Sequence, residues 1–220
     1  MTTTLKSVQS QLDEFAADFA KKVPAAVRET MESAGQDVAD VVAQLKAVDL
    51  GDQAPGFSLP DATGKTVELE ALLADGPIVL TFYRGGWCPY CNIELRALQA
   101  ALPEFRSHGA QLVAVSPQTP DQSLSTAEKN ELEFSVLSDS GNSVARQFGL
   151  VFTLPEVLRP IYAEFGIDVP AHNGDESFEL PVPATYVIGR DGKVHYAFAN
   201  ADYRQRAEPR EIVAALSKLA

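Results

Sequence analysis

"LTFYRGGWCPYCNIEL", residues 80–95, decides how this chain folds. The apolar run Ile78 to Tyr83 has the composition of a strand buried on both faces. Beyond the cysteines, Leu95, Leu98, Leu102 and Phe105 recur at helix spacing. Pro103 lies within that pattern and is expected to kink or end the helix. Between strand and helix, Gly85 and Gly86 permit a sharp turn. Pro89 suits the first helical position, where a missing N–H costs nothing. Cys88 then occupies the cap and Cys91 the first turn. Both thiols face free backbone N–H groups and the positive end of the helix dipole. Such placement lowers a thiol pKa from about 8.5 to roughly 3.5–7.5. The spacing also lets the two sulfurs close a disulfide.

Cys88 and Cys91 are the only two cysteines among 220 residues. A zinc site needs four ligands, usually two such pairs, and there is no second pair. His108, His172 and His195 show no ligand spacing. They read as a helix-end cation, a loop residue and a strand packing residue. No metal or cofactor is expected. A C-x-x-C beside a strand–helix–strand pattern is instead a redox signature.

Hydrophobic content of 45% and charged content of 22% are those of a globular protein. A net charge of −12 excludes a basic footprint for nucleic acid and disfavours anionic membranes. No apolar run approaches the ~20 residues of a spanning helix. The N-terminus has no signal-like apolar segment, so a cytoplasmic, reducing setting is expected.

Residues 5–47 read as helical, in three pieces. Leu5, Val8, Leu12, Phe15 and Phe19 share one face; Pro24 opens the second piece; Gly35 is expected to break it; Val38 to Leu45 form the third. This extension, residues 1–48, either packs on the main domain or forms a homodimer arm. Residues 49–220 form the second unit. "DATGK" (61–65) predicts a hairpin turn between short strands at 57–59 and 66–68. Strands at 111–117 and 134–139 flank a polar helix around 120–132, which implies parallel strands with crossover helices. Residues 141–181 read as irregular, with one helix in "PEVLRPIYAEF" (155–165) and a polar loop "AHNGDES" (171–177). "ATYVIGRDGKVHYAFA" (184–199) gives a hairpin, and "EPREIVAALSKLA" (208–220) a closing helix. The expected fold class is α/β: a mixed sheet flanked by helices, with a helical N-terminal extension.

Trp-Cys-x-x-Cys after a buried strand resembles thioredoxin, and "CPYC" resembles the glutaredoxin tetrapeptide. The wider frame is similar to peroxiredoxins of the alkyl hydroperoxide reductase and thiol-specific antioxidant family. "GDQAPGFSLPDATGKTVELEALL" (51–73) is similar to its opening hairpin and "ATYVIGRDGKV" (184–194) to its late strand pair. The resemblance implies a thioredoxin-like fold and a thiol-dependent peroxidase, recycled by a thioredoxin- or glutaredoxin-like dithiol. Thiol–disulfide exchange on protein or small-molecule disulfides is the alternative.

The family carries Pro-x-x-x-Thr-x-x-Cys. Here Arg84 stands at the proline, Cys88 at the threonine and Cys91 at the attacking cysteine, with Glu94 three residues on. The family's arginine, two residues before a threonine, falls on Pro183 before Thr185. Proline there resembles thioredoxin, which implies a cis bond against the dithiol. Arg84 is expected as the remaining cation by the sulfur, and Trp87, Tyr90 and Thr185 as substrate-site residues. Alignment favours Cys91 as the group attacking peroxide. Helix-cap physics favours Cys88 as the lower-pKa thiol and the nucleophile of exchange.

Overall fold

A computed structural model describes residues 7–219; Leu5 and Ala220 of the expected helices lie outside them. The chain opens with α1 (Val8–Lys22) and α2 (Ala25–Val42). A hairpin follows, β1 (Ser58–Pro60) and β2 (Thr66–Glu68), then α3 (Leu69–Asp75) and β3 (Ile78–Phe82). Next are α4 (Pro89–Ser107), β4 (Gln111–Ser116), α5 (Pro120–Lys129), β5 (Ser135–Ser138) and α6 (Ser143–Gln147). After β6 (Val151–Thr153) come a 3-10 turn (Glu156–Leu158), α7 (Arg159–Glu164), α8 (Val169–Asn173) and β7 (Glu179–Pro181). The chain ends with β8 (Ala184–Ile188), β9 (Val194–Ala199) and α9 (Pro209–Leu216).

Five strands form the central sheet in the order β5-β4-β3-β8-β9. β3 runs parallel to β4 and antiparallel to β8. This is the mixed sheet that the strand–helix pattern implies, and the thioredoxin-like sheet that the resemblance implies. Every residue of β3 is buried because both faces are covered. Leu80 and Phe82 enter the core that includes Phe148 and Tyr186, while Val79 faces the core of α4 and α9. The register sets Thr81 opposite Thr185 and Phe82 opposite Ala184. The loop after β3 therefore lies beside the segment entering β8.

Four local expectations are corrected. α2 runs unbroken through Gly35, since one helical glycine costs only about 1 kcal/mol against alanine. α4 continues past Pro103 to Ser107; Pro103 is exposed, so water can satisfy the Gln99 carbonyl it leaves free. The expected loop 171–177 begins inside α8, which Asp168 caps through the Ala171 N–H. The irregular 141–181 stretch also holds α6 and the antiparallel β6–β7 pair.

The N-terminal helices pack on their own chain. Phe15 of α1 meets Tyr90 of α4 edge-to-face at 5.0 Å between centroids. Glu208, at the cap of α9, accepts the N–H groups of Val8 and Gln9 at 3.1 and 3.0 Å and so caps α1 as well. α2 lies across β6 and the 3-10 turn. Among the described residues, no helix is long and apolar enough to cross a membrane.

Candidate active site

β3 delivers the chain to a turn that only glycine accommodates. Gly85 has φ +149°, and a Cβ there would strike the Trp87 indole. A Cβ on Gly86 would strike Thr126 of α5. The turn is tied down by the Gly86 N–H donating to Gln118 Oε1 at 2.7 Å and by Asn92 Nδ2 donating to the Gly86 carbonyl at 2.8 Å. Cys88 is the N-cap of α4, with Pro89 first in the helix. Both sulfurs are reduced and buried.

Two arginines reach the two sulfurs. Arg84 Nη2 donates to Cys88 Sγ at 3.0 Å, and its Nη1 donates to Tyr162 Oη at 3.2 Å. The Arg84 guanidinium lies over the Tyr203 ring at 4.1 Å and near the Trp87 ring at 5.3 Å. Among the described residues, no carboxylate pairs with Arg84. Arg206, from the loop before α9, places Nη2 3.4 Å from Cys91 Sγ and Nε 2.5 Å from Glu94 Oε2. Backbone carbonyls of Tyr203 and Gln205 hold its other nitrogen.

Burial raises both thiols, but their partners divide them. For Cys88 burial is outweighed by the Cys91 hydrogen bond and the Arg84 charge, and the pKa lies well below the ordinary value. For Cys91 burial and the Cys88 thiolate act together, and the pKa lies well above it. The reduced pair is thus a Cys88 thiolate accepting a hydrogen bond from the Cys91 thiol. Burial pushes Glu94 up to about 7 against the pull of Arg206. Thr185 Oγ1 donates to Glu94 Oε1 at 3.5 Å and lies 3.0 Å from Thr81 Oγ1.

The structure brings Cys88, Cys91, Arg84, Trp87 and Tyr90 together. Trp87 is half-buried against Tyr162, with ring centroids 5.8 Å apart. Tyr90 packs on Tyr203 at 5.3 Å. Thr185 is fully buried behind Glu94, as a support for that carboxylate. Pro183 is buried and shares a small cavity with Arg84. Its preceding peptide bond is trans, which corrects the thioredoxin-like expectation. Arg206, Tyr162 and Tyr203 were not legible in the sequence. Arg206 lies 115 residues after Cys91, Tyr162 and Tyr203 are likewise distant in the chain, and no motif marks any of them; Glu94 is marked by spacing alone. His172 bonds to Gln122 Oε1 at 2.9 Å, with its ring 6.5 Å from that of Trp87, and His195 bonds to Asp191 at 3.2 Å. His108 is the C-cap of α4.

A thiolate at a helix cap, a second thiol one turn on and a cation against each define a thiol-based oxidoreductase on a thioredoxin-like sheet. The family pattern of AhpC/TSA matches residues 50–197, so the chain belongs to the AhpC/TSA family. Thiol-dependent peroxide reduction is its class of chemistry. A provisionally named peroxiredoxin of Mycobacterium tuberculosis is 35% identical over 111 residues, covering 50% of this chain and 72% of that one. The chloroplastic peroxiredoxin Q of Populus jackii is 29% identical over 153 residues, covering 70% of this chain and 61% of that one. The crystal structure of the peroxidoxin BcpB from Mycobacterium tuberculosis superposes with a TM-score of 0.62 at 26% identity, over 79% of this chain and 99% of that one.

Proposed function

We propose that the protein reduces hydroperoxides with Cys88 as the attacking thiolate and Cys91 as the resolving thiol. The observation that carries this is the 3.0 Å contact to Cys88 Sγ from Arg84, whose charge no carboxylate among the described residues shares. The Cys88 sulfur attacks the terminal peroxide oxygen. An S–O bond forms, the O–O bond breaks, and the departing alkoxide or hydroxide takes a proton to leave as alcohol or water. Arg84 stabilises the charge that develops on the oxygens. Cys91 then attacks the sulfenic sulfur; its proton leaves with the hydroxyl as water, and the disulfide closes. A thioredoxin- or glutaredoxin-like dithiol returns two electrons and two protons.

Alignment with the family motif assigns the attack to Cys91. The electrostatics favour Cys88, because the thiolate is the nucleophile. Burial of both sulfurs favours a small oxidant over a protein disulfide. The same reading takes residues 1–48 as an extension on a catalytic domain of residues 49–220, acting in a reducing compartment such as the cytoplasm. Every group named comes from one chain, so a homodimer is not needed for the chemistry.

Trp87 adjoins Cys88 and is the sole tryptophan. Stopped-flow mixing of reduced protein with hydrogen peroxide should change its fluorescence in two phases, sulfenate formation and disulfide closure. Only the first should scale with peroxide concentration. A trace indifferent to peroxide, with both thiols still titratable, would refute the reading.

A further inference from the structure

Two arginines are buried beside the sulfurs, and they differ in what oxidation leaves them. Arg206 has the Glu94 carboxyl at 2.5 Å, a partner that the chemistry of the sulfurs does not touch. Arg84 is 4% exposed, and among the described residues its one countercharge is the Cys88 thiolate at 3.0 Å. Its Nη1 donates to the neutral phenol of Tyr162, and its guanidinium lies over the Tyr203 ring. Its Nε is buried and has no acceptor among the described residues. Arg84 and Tyr162 also form part of the wall of a cavity of about 30 Å³, which Met31, Val38, Pro183 and Tyr203 help to enclose. That space holds one water-sized group.

We propose that this cavity is a redox-gated anion site: the oxidised protein binds one small monovalent anion of the chloride class against Arg84, and reduction releases it. When the Cys88–Cys91 disulfide closes, two electrons leave the sulfurs and the Cys88 thiolate becomes a neutral sulfur. Arg84 is then a buried cation without a countercharge, which is a costly state. The aromatic faces beside it attract a cation but carry no net charge. An anion in the cavity restores the pairing and gives the unused donor an acceptor. In the reduced protein the thiolate holds that place, and a second negative charge beside it is repelled. A cavity of this size excludes sulfate, phosphate and organic carboxylates with a carbon body. The anion therefore stabilises the disulfide and opposes its reduction.

This inference rests on the dithiol cycle proposed above, but its test needs no peroxide. The full chain is equilibrated in dithiothreitol redox buffers, with the disulfide fraction read by thiol alkylation, in chloride or in gluconate at matched ionic strength. Each tenfold rise in chloride beyond its dissociation constant should lower the reduction potential by about 30 mV, for one anion released per two electrons. Gluconate, too large for the cavity, should leave the potential level. Arg84→Met should remove the chloride slope. Val38→Ile adds one methylene to the cavity wall and keeps the cation; it should move the onset of the slope to about tenfold higher chloride. A wild-type potential indifferent to chloride, an equal slope in gluconate, a slope retained in Arg84→Met or an onset unmoved in Val38→Ile overturns the anion site. Failure of the protein to form the Cys88–Cys91 disulfide in any buffer instead overturns the dithiol reading itself, so the two failures are distinct.

Discussion

The Cys88 and Cys91 ends of the dithiol are built from the same parts and behave in opposite ways. Each sulfur is buried, and each has an arginine within hydrogen-bonding range. Arg206 also holds Glu94 at 2.5 Å, so part of its charge is neutralised before it reaches Cys91. Arg84 meets a phenol and aromatic faces instead, none of which carries a full negative charge. Its field remains for Cys88. Cys88 also has the cap position, with free N–H groups ahead of it. A cation near a thiol is thus an insufficient description; what else the cation binds decides which thiol ionises.

The largest test exchanges the two ends. Cys88→Ser should abolish sulfenate formation, and dimedone should label nothing after a peroxide pulse. Cys91→Ser should leave a sulfenate on Cys88 that persists and labels. Label on Cys91 in the Cys88→Ser protein, with none on Cys88 in the other, would reverse the two roles.

Removing the cations should show the same asymmetry on a smaller scale. Arg84→Met deletes a charge-assisted hydrogen bond, so Cys88 alkylation by iodoacetamide near neutral pH should slow by about ten- to a hundredfold. The paired change Arg206→Met with Glu94→Gln removes two groups whose charges partly cancel, and alkylation should shift by less than it does in Arg84→Met. Equal losses in both variants would mean that Arg206 supports Cys88 as strongly as Arg84 does.

The smallest effect is a pH dependence of stability. Burial raises Glu94 from its ordinary 4.5 to about 7. A carboxyl raised on folding binds its proton more tightly in the native state. Its contribution is complete below pH 4.5 and is lost as pH rises towards 7. Over that window wild type should lose about 3 kcal/mol through this group. Denaturant titrations of Glu94→Gln should lack that part of the slope. Identical slopes would show that Arg206 keeps Glu94 ionised throughout.

Periodicity and turn chemistry made most of the framework legible. The all-apolar β3, the "DATGK" and "RDGK" turns and the proline after Cys88 each depend on neighbours within a few residues. The misreadings arose where solvent or packing outweighed local preference. Gly35 and Pro103 signal helix ends, yet both helices continue because neighbouring turns support them. Pro183 followed an analogy to a different branch of the fold, and its bond is trans.

The sequence by itself determined the placement of the dithiol: two thiols one helical turn apart, at a cap, behind a buried strand, with Arg84 close by in the chain. Those features rest on local geometry, which a short stretch fixes. Which thiol holds the negative charge was decided only by tertiary structure. The partners that settle it, Tyr162, Tyr203, Arg206 and the Glu94 pair, come from separate loops and helices brought together by the sheet. Electrostatic energy depends on distance through space and on the water excluded between charges. Neither quantity is written in the order of residues along the chain.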